Sequence, residues 1–168
     1  MNKNIVLIGM PGVGKSTVGV ILAKIMGLKF IDSDLCIQER ERRLLKDIIS
    51  EDGIDGFIKI EGEVLSSLDA EGTVIATGGS AVYSETAMKK LSENGTVVYM
   101  YLPLDILKER IHDIKGRGVV LRECQTFDDL YLERSSLYER FCSLKVDETG
   151  LNPEQTVDLI LENLHYRK

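Results

Sequence analysis

Cysteine is scarce in this 168-residue sequence: Cys36, Cys124 and Cys142 are odd in number and far apart. That excludes a disulfide framework, and their spacing fits no metal-binding pattern. Histidine is scarcer still. His112 and His165 lack companion ligands, so a structural or surface role is expected for each. Basic residues number 21 against 27 acidic ones, for a net charge of −6. This disfavours a nucleic-acid partner, which needs a basic face to meet many phosphates, and points to a small-molecule substrate. No apolar run approaches a membrane span. The first strand begins so early that no room is left for a cleavable signal, and a cytoplasmic location is expected. Repeats and low-complexity linkers are also missing. With 43% hydrophobic residues the composition is that of an ordinary globular protein. Its length suits one domain spanning 1–168, and nothing demands more than a monomer.

What is present is more specific. Gly9-Met10-Pro11-Gly12-Val13-Gly14-Lys15-Ser16 fits the phosphate-loop pattern G-x-x-x-x-G-K-[ST]. Asn4-Ile5-Val6-Leu7-Ile8 before it reads as a buried strand, and Thr17 to Met26 after it as a helix capped by Gly27. A glycine turn between strand and helix aims backbone N–H groups and the positive end of the helix dipole at one point, which suits a polyphosphate. An ordinary glycine turn with an incidental Lys-Ser is the bland alternative. The context favours a nucleoside triphosphate held by Gly12, Val13, Gly14, Lys15, Ser16 and Thr17. Lys15 would reach the β/γ-phosphates, and the Ser16 hydroxyl would ligate Mg²⁺.

Strand and helix then alternate, which argues for an α/β fold with a parallel sheet covered on both faces. Short strands are expected at 28–31, 73–77, 96–102 and 144–147. The stretch 35–70 carries no strand signal and reads as a helical insertion broken at Gly53 and Gly56, its charged run 39–43 a solvated face. Helices are expected from Ser84, from Pro103 to Ile111, over 126–141 and from Asn152-Pro153 to about Leu164. Residues 112–124 lose periodicity around Gly116-Arg117-Gly118 and read as a mobile loop, a candidate lid. Tyr99 and Tyr101 alternate along a strand and read as packing residues.

Further groups fall at strand ends, where open α/β sheets bind ligands. Asp32 and Asp34 could both face the γ-phosphate, one holding Mg²⁺ through water and the other accepting a hydrogen bond from an attacking hydroxyl. The alternative is a helix-capping aspartate. Gly78-Gly79 is either a close approach to substrate or a plain turn. Of Arg117, Arg122 and Arg134, the one between glycines best suits an arginine finger, although most surface arginines are merely solvated.

Together these features resemble the shikimate kinase family, small P-loop kinases of the nucleoside-monophosphate-kinase type. The shared features run in order through the phosphate loop, Asp32-Ser33-Asp34, Ala76-Thr77-Gly78-Gly79, the lid arginine, Glu133-Arg134-Ser135-Ser136-Leu137-Tyr138 and Asn152-Pro153. The resemblance implies a three-layer P-loop kinase fold with a five-stranded parallel sheet. It also implies a helical substrate-binding region near 33–62 and a lid near 112–124. It implies ATP and Mg²⁺, with the γ-phosphate passing to a ring hydroxyl, most simply shikimate to shikimate 3-phosphate in aromatic amino acid biosynthesis. Asp34 would contact the accepting hydroxyl and Asp32 would assist Mg²⁺. Lys15 and Arg117 would stabilise the transferring charge, and Arg134 would pair with the substrate carboxylate. Gly78, Gly79 and position 80 would meet substrate through backbone, while Arg110 and Asn152-Pro153 would border the adenine.

The departures concern the substrate. The family's Phe-Arg-x-x-Glu is Phe57-Ile58-Lys59-Ile60-Glu61 here, so Ile58 stands where an arginine helps clamp the carboxylate. Lys59 points about 100° round the helix from position 58 and is a poor stand-in. The third glycine of the turn is Ser80, and Arg117-Gly118-Val119-Val120 replaces Arg-Pro-Leu-Leu. One lost charge-assisted contact costs about 1.5–3 kcal/mol, enough to weaken binding without abolishing phosphoryl transfer. Two alternatives stay open: a gluconate-type or other hydroxy-acid or amino-alcohol kinase, and a non-catalytic nucleotide-binding regulator.

Overall fold

The computed structural model describes residues 3–111 and 121–166. Within them, strands β1 (Asn4–Ile8), β2 (Lys29–Asp32), β3 (Thr73–Ala76), β4 (Gly95–Tyr101) and β5 (Leu144–Asp147) form one sheet. Its order is β2-β3-β1-β4-β5, with every pairing parallel. β1 is buried along its whole length and pairs on both sides, Ile5 meeting Val74 of β3 and Thr96 of β4. A strand enclosed on both faces and both edges has no use for polar alternation, and its apolar run follows from that.

Helices α1 (Lys15–Met26), α2 (Ser33–Glu41), α3 (Leu45–Ser67), α4 (Glu85–Asn94), α5 (Leu104–Arg110), α6 (Phe127–Phe141) and α7 (Pro153–Asn163) connect and cover the sheet. α1 packs with α7 and α3 with α4, giving the three-layer α/β arrangement. From β1 the chain passes through α1 to β2 at the far edge, and from β3 it crosses to β4 on the other side of β1. A crevice therefore opens at the carboxyl ends of β1 and β3, the topological switch point at which such sheets hold ligands.

Local chemistry sets most boundaries. α1 starts at Gly14, whose φ of 106° few other residues adopt. α6 and α7 each open on a reciprocal capping box, Thr126 with Asp129 and Asn152 with Gln155, and Pro153 takes the first position of α7. The helical stretch after β2 divides differently from expectation. α2 stops at Glu41, with Arg42 in a left-handed conformation (φ 54°), so the charged run 39–43 leaves the helix before its end. α3 kinks at Gly53 (φ 73°, ψ 178°) but runs straight through Gly56. A short 3-10 turn, Ala81–Tyr83, follows the double glycine and was not foreseen.

The main core surrounds β1 and β4. Tyr99 belongs to it, its ring centroid 5.1 Å from that of Tyr138. A second, smaller apolar cluster, Ile37, Ile48, Phe57 and Val64, lies between α2 and α3. Among the described residues no helix is long and apolar enough to cross a membrane.

Candidate active site

The loop from Gly9 to Gly14 joins β1 to α1 and carries Lys15 back onto itself. Lys15 Nζ donates to the carbonyls of Gly9 (2.8 Å) and Met10 (2.9 Å). The side chain is only 8% exposed. Desolvation brings its pKa down to about 8, with Arg134 acting in the same direction and Asp34 opposing. The ammonium is thus held, nearly dry, where the loop faces the crevice.

At the next residue, the Ser16 hydroxyl and the Asp32 carboxylate converge. The other oxygen of Asp32 accepts the backbone N–H of Asp34 at 3.0 Å and so caps α2. Asp32 therefore has the capping role, and the same residue also keeps a carboxylate oxygen beside the phosphate loop. Asp34 follows in the first turn of α2 and lines the crevice. Burial raises its pKa, the neighbouring Asp32 adds to this, and Lys15 pulls the other way.

The wall opposite comes from β3, α3 and α6. The N–H of Gly78 donates to the buried Ser33 hydroxyl at 3.0 Å, tying the double-glycine turn to the start of α2. Tyr138, fully buried, donates its hydroxyl to the Gly79 carbonyl at 2.6 Å. Arg134 is 1% exposed, with Nε 3.4 Å from the Tyr83 hydroxyl and its guanidinium carbon 5.3 Å from that ring's centroid. There is no room for a side chain at Gly79. A Cβ there would stand 2.8 Å from an Arg134 nitrogen and 2.9 Å from Pro11 Cδ. Glu61 of α3 completes the wall, and the Ser80 hydroxyl donates to its Oε2. Burial raises the Glu61 carboxyl to about 7, against the Ser80 hydrogen bond.

These groups line one cavity of about 400 Å³, with Gly12, Gly14, Lys15, Ser16 and Thr17 on one side and Asp34, Glu61, Gly78, Gly79, Ser80 and Arg134 on the other. A second cavity of about 270 Å³ adjoins it through Gly14 and Thr17, and Val13, Arg110, Glu148 and Pro153 also line it. There Arg110 reaches the buried Glu148 at 3.3 Å and the Val13 carbonyl at 3.4 Å. Desolvation raises Glu148 to about 7, with Arg110 opposing.

Most residues expected at the site from sequence are thus brought together. Asn152 caps α7 and is not itself part of either cavity lining, whereas Pro153 beside it is. Ile58 is half-buried on α3, outside the cavity lining, while Phe57 and Glu61 of the same helix belong to it. Arg122 is exposed and pairs with Asp55 of α3 at 3.0 Å. Arg117, His112 and most of the expected lid, 112–120, lie outside the described residues. Sequence reasoning gave no role to Glu61 or Glu148. Glu61 had a readable signal, a carboxylate four residues after Phe57 on the apolar face that continues through Val64 and Leu65.

A family model described as "Shikimate kinase" matches residues 11–165. A shikimate kinase of Sulfurihydrogenibium sp. (strain YO3AOP1) is 32% identical over 166 residues, 98% of this chain and 99% of that one. Among solved structures, shikimate kinase from Acinetobacter baumannii in complex with shikimate superposes with a TM-score of 0.86. It is 30% identical, covering 99% of this chain and 96% of that one. The enzyme from Aquifex aeolicus gives 0.84 at 34% identity, covering 96% of each chain. This chain belongs to the shikimate kinase family, enzymes that use ATP to phosphorylate an alcohol.

Proposed function

We propose that this member of the shikimate kinase family transfers the γ-phosphoryl group of ATP to a ring hydroxyl of shikimate, giving shikimate 3-phosphate. The observation that carries the reading is the single cavity in which the phosphate loop faces Asp34 and Arg134. In this reading the loop amides and Lys15 hold the β- and γ-phosphates, and Lys15 stabilises the charge that spreads over the transferring group. Asp34 orients the attacking hydroxyl and accepts its proton; burial and the nearby Asp32 make it a stronger base than a free aspartate. Arg134, whose planar fork suits a carboxylate, receives the anionic end of the substrate. Arg110 and Pro153 border the adenine in the adjoining cavity.

Two oxygen donors, the Ser16 hydroxyl and Asp32 Oδ2, meet beside the loop, a donor set that fits a hard divalent cation. Mg²⁺ held there, with Asp32 acting directly or through water, would neutralise phosphate charge and orient the triphosphate. A monomer in the cytoplasm, where ATP and Mg²⁺ are plentiful, completes the reading. A coupled assay of ADP release tests it with shikimate, gluconate and no acceptor compared in parallel. Stimulation by shikimate alone is expected. Stimulation by gluconate in its place, or by neither, would refute the assignment.

A further inference from the structure

Among the described residues, Glu148 is the one acid in the lining of the second cavity, and it is only 3% exposed. Val13, Val18, Leu151 and Pro153 make that lining largely apolar, which suits a flat base better than a carboxylate. Two backbone hydrogen bonds fix where Glu148 sits. Its N–H donates to the Tyr101 carbonyl at the end of β4 (3.1 Å), and its own carbonyl accepts from the Leu151 N–H (3.0 Å). Glu148 Oε1 meets Arg110 Nη1 at 3.3 Å, and the same nitrogen reaches the carbonyl of Val13 in the phosphate loop at 3.4 Å.

The burial within this pair is one-sided, with the Arg110 side chain 40% exposed against 3% for Glu148. The arginine can be solvated without the acid, whereas desolvation pushes the acid up to about 7 even with the arginine beside it. An apolar side chain of similar size would sit there at lower cost. What the acid supplies is direction. Arg110 is the last residue of α5, and its long side chain would otherwise sample many rotamers and lose that freedom when a base arrived. Both of its contacts are long for hydrogen bonds, so the hold depends on charge in a sheltered site. We propose that Glu148 is a positioning residue for the nucleotide: with the Val13 carbonyl it holds the Arg110 guanidinium as a preformed wall of the base slot, favouring a nucleoside polyphosphate over a bare one. Glu148 acts through Arg110 and does not itself touch the base. Because the same nitrogen holds Val13, the wall for the base is tied to the loop that grips the phosphates. The inference rests on the ATP reading above and is independent of the acceptor.

Calorimetry on the full chain with Mg²⁺ and no acceptor provides the test, with ADP and pyrophosphate as the two ligands. It is run at about pH 8, where Glu148 is mostly ionised. Glu148→Met, similar in length but without an acceptor oxygen, should weaken ADP about tenfold and leave pyrophosphate within about twofold of wild type. Glu148→Gln keeps an acceptor without the charge and should fall between, at about threefold for ADP. In an Arg110→Ala background, Glu148→Met should change ADP affinity no further. Wild-type ADP affinity in Glu148→Met overturns the inference. So does an equal loss for pyrophosphate, which would mean that Glu148 acts through its field at Lys15, or a loss that persists without Arg110. Should Glu148→Met fold poorly, Glu148→Gln decides, and an unchanged ADP affinity there overturns the inference. Failure of the wild type to bind ADP would sink the ATP reading as well, whereas failure of shikimate to stimulate turnover leaves this inference standing.

Discussion

The Ser16 hydroxyl donates to Asp32 Oδ2 across 2.6 Å, joining the first turn of α1 to the last residue of β2. The pair fixes two oxygens beside the phosphate loop before any ligand arrives. Ser16→Ala removes one oxygen and leaves Asp32 held only through the oxygen that caps α2. The Mg²⁺ concentration for half-maximal turnover should rise by about ten- to a hundred-fold, with excess Mg²⁺ restoring part of the rate. A Mg²⁺ titration that matches wild type would remove Ser16 from the metal's surroundings.

Lys15→Ala bears on the chemical step. Its ammonium is pre-positioned by two carbonyls and partly desolvated, so its charge counts most in the transition state. Turnover should fall by about 10²–10³-fold, while nucleotide-free binding of shikimate changes little. Near-normal single-turnover rates would contradict the role.

Arg134→Lys keeps a positive charge but loses the fork that can meet a carboxylate with two parallel bonds. Because Arg134 is almost fully buried, truncation to alanine would confound binding with packing, and lysine is the cleaner probe. The KM for shikimate should rise about 10–100-fold, with kcat altered far less. A change in kcat alone would place Arg134 in the chemistry and not in substrate capture.

The pH dependence of folding isolates Glu61 from binding. Burial raises its carboxyl from 4.5 to about 7 in the folded protein. The folded chain therefore holds a proton that the unfolded chain has released between those values. Its contribution to stability is fully present below about pH 4.5 and is lost as pH rises through about 7. Glu61→Gln escapes that penalty. Its stability relative to wild type should improve between pH 4.5 and 7 by on the order of 3 kcal/mol, then level off. Thermal unfolding of both proteins at pH 4.5 and 8 checks this, and a constant difference would refute it.

Legibility from sequence followed the range of the interactions. The phosphate loop, the Gly27 cap and the Asn152-Pro153 helix start depend on residues a few positions apart, and the structure follows each of them. Gly53 and Gly56 looked alike as breakers, yet only Gly53 leaves helical geometry. Asp32 and Asp34 were read as a pair, but that Asp32 caps α2 while touching Ser16 needed α1 and β2 side by side. Glu61 and Ser80 are 19 positions apart, and their contact exists only once α3 lies along the glycine turn. Glu148 was hidden for the same reason, since it follows β5 while Arg110 comes from α5.

The apolar knot of Ile37, Ile48, Phe57 and Val64 is separate from the core around β1 and β4. Such a satellite can loosen by local opening while the sheet stays intact. Phe57 of this cluster also lines the cavity facing the phosphate loop, so such loosening would reach the proposed acceptor side and not the loop itself. A lineage of such enzymes could drift toward new acceptors by repacking four side chains, without retuning the machinery that handles the nucleotide.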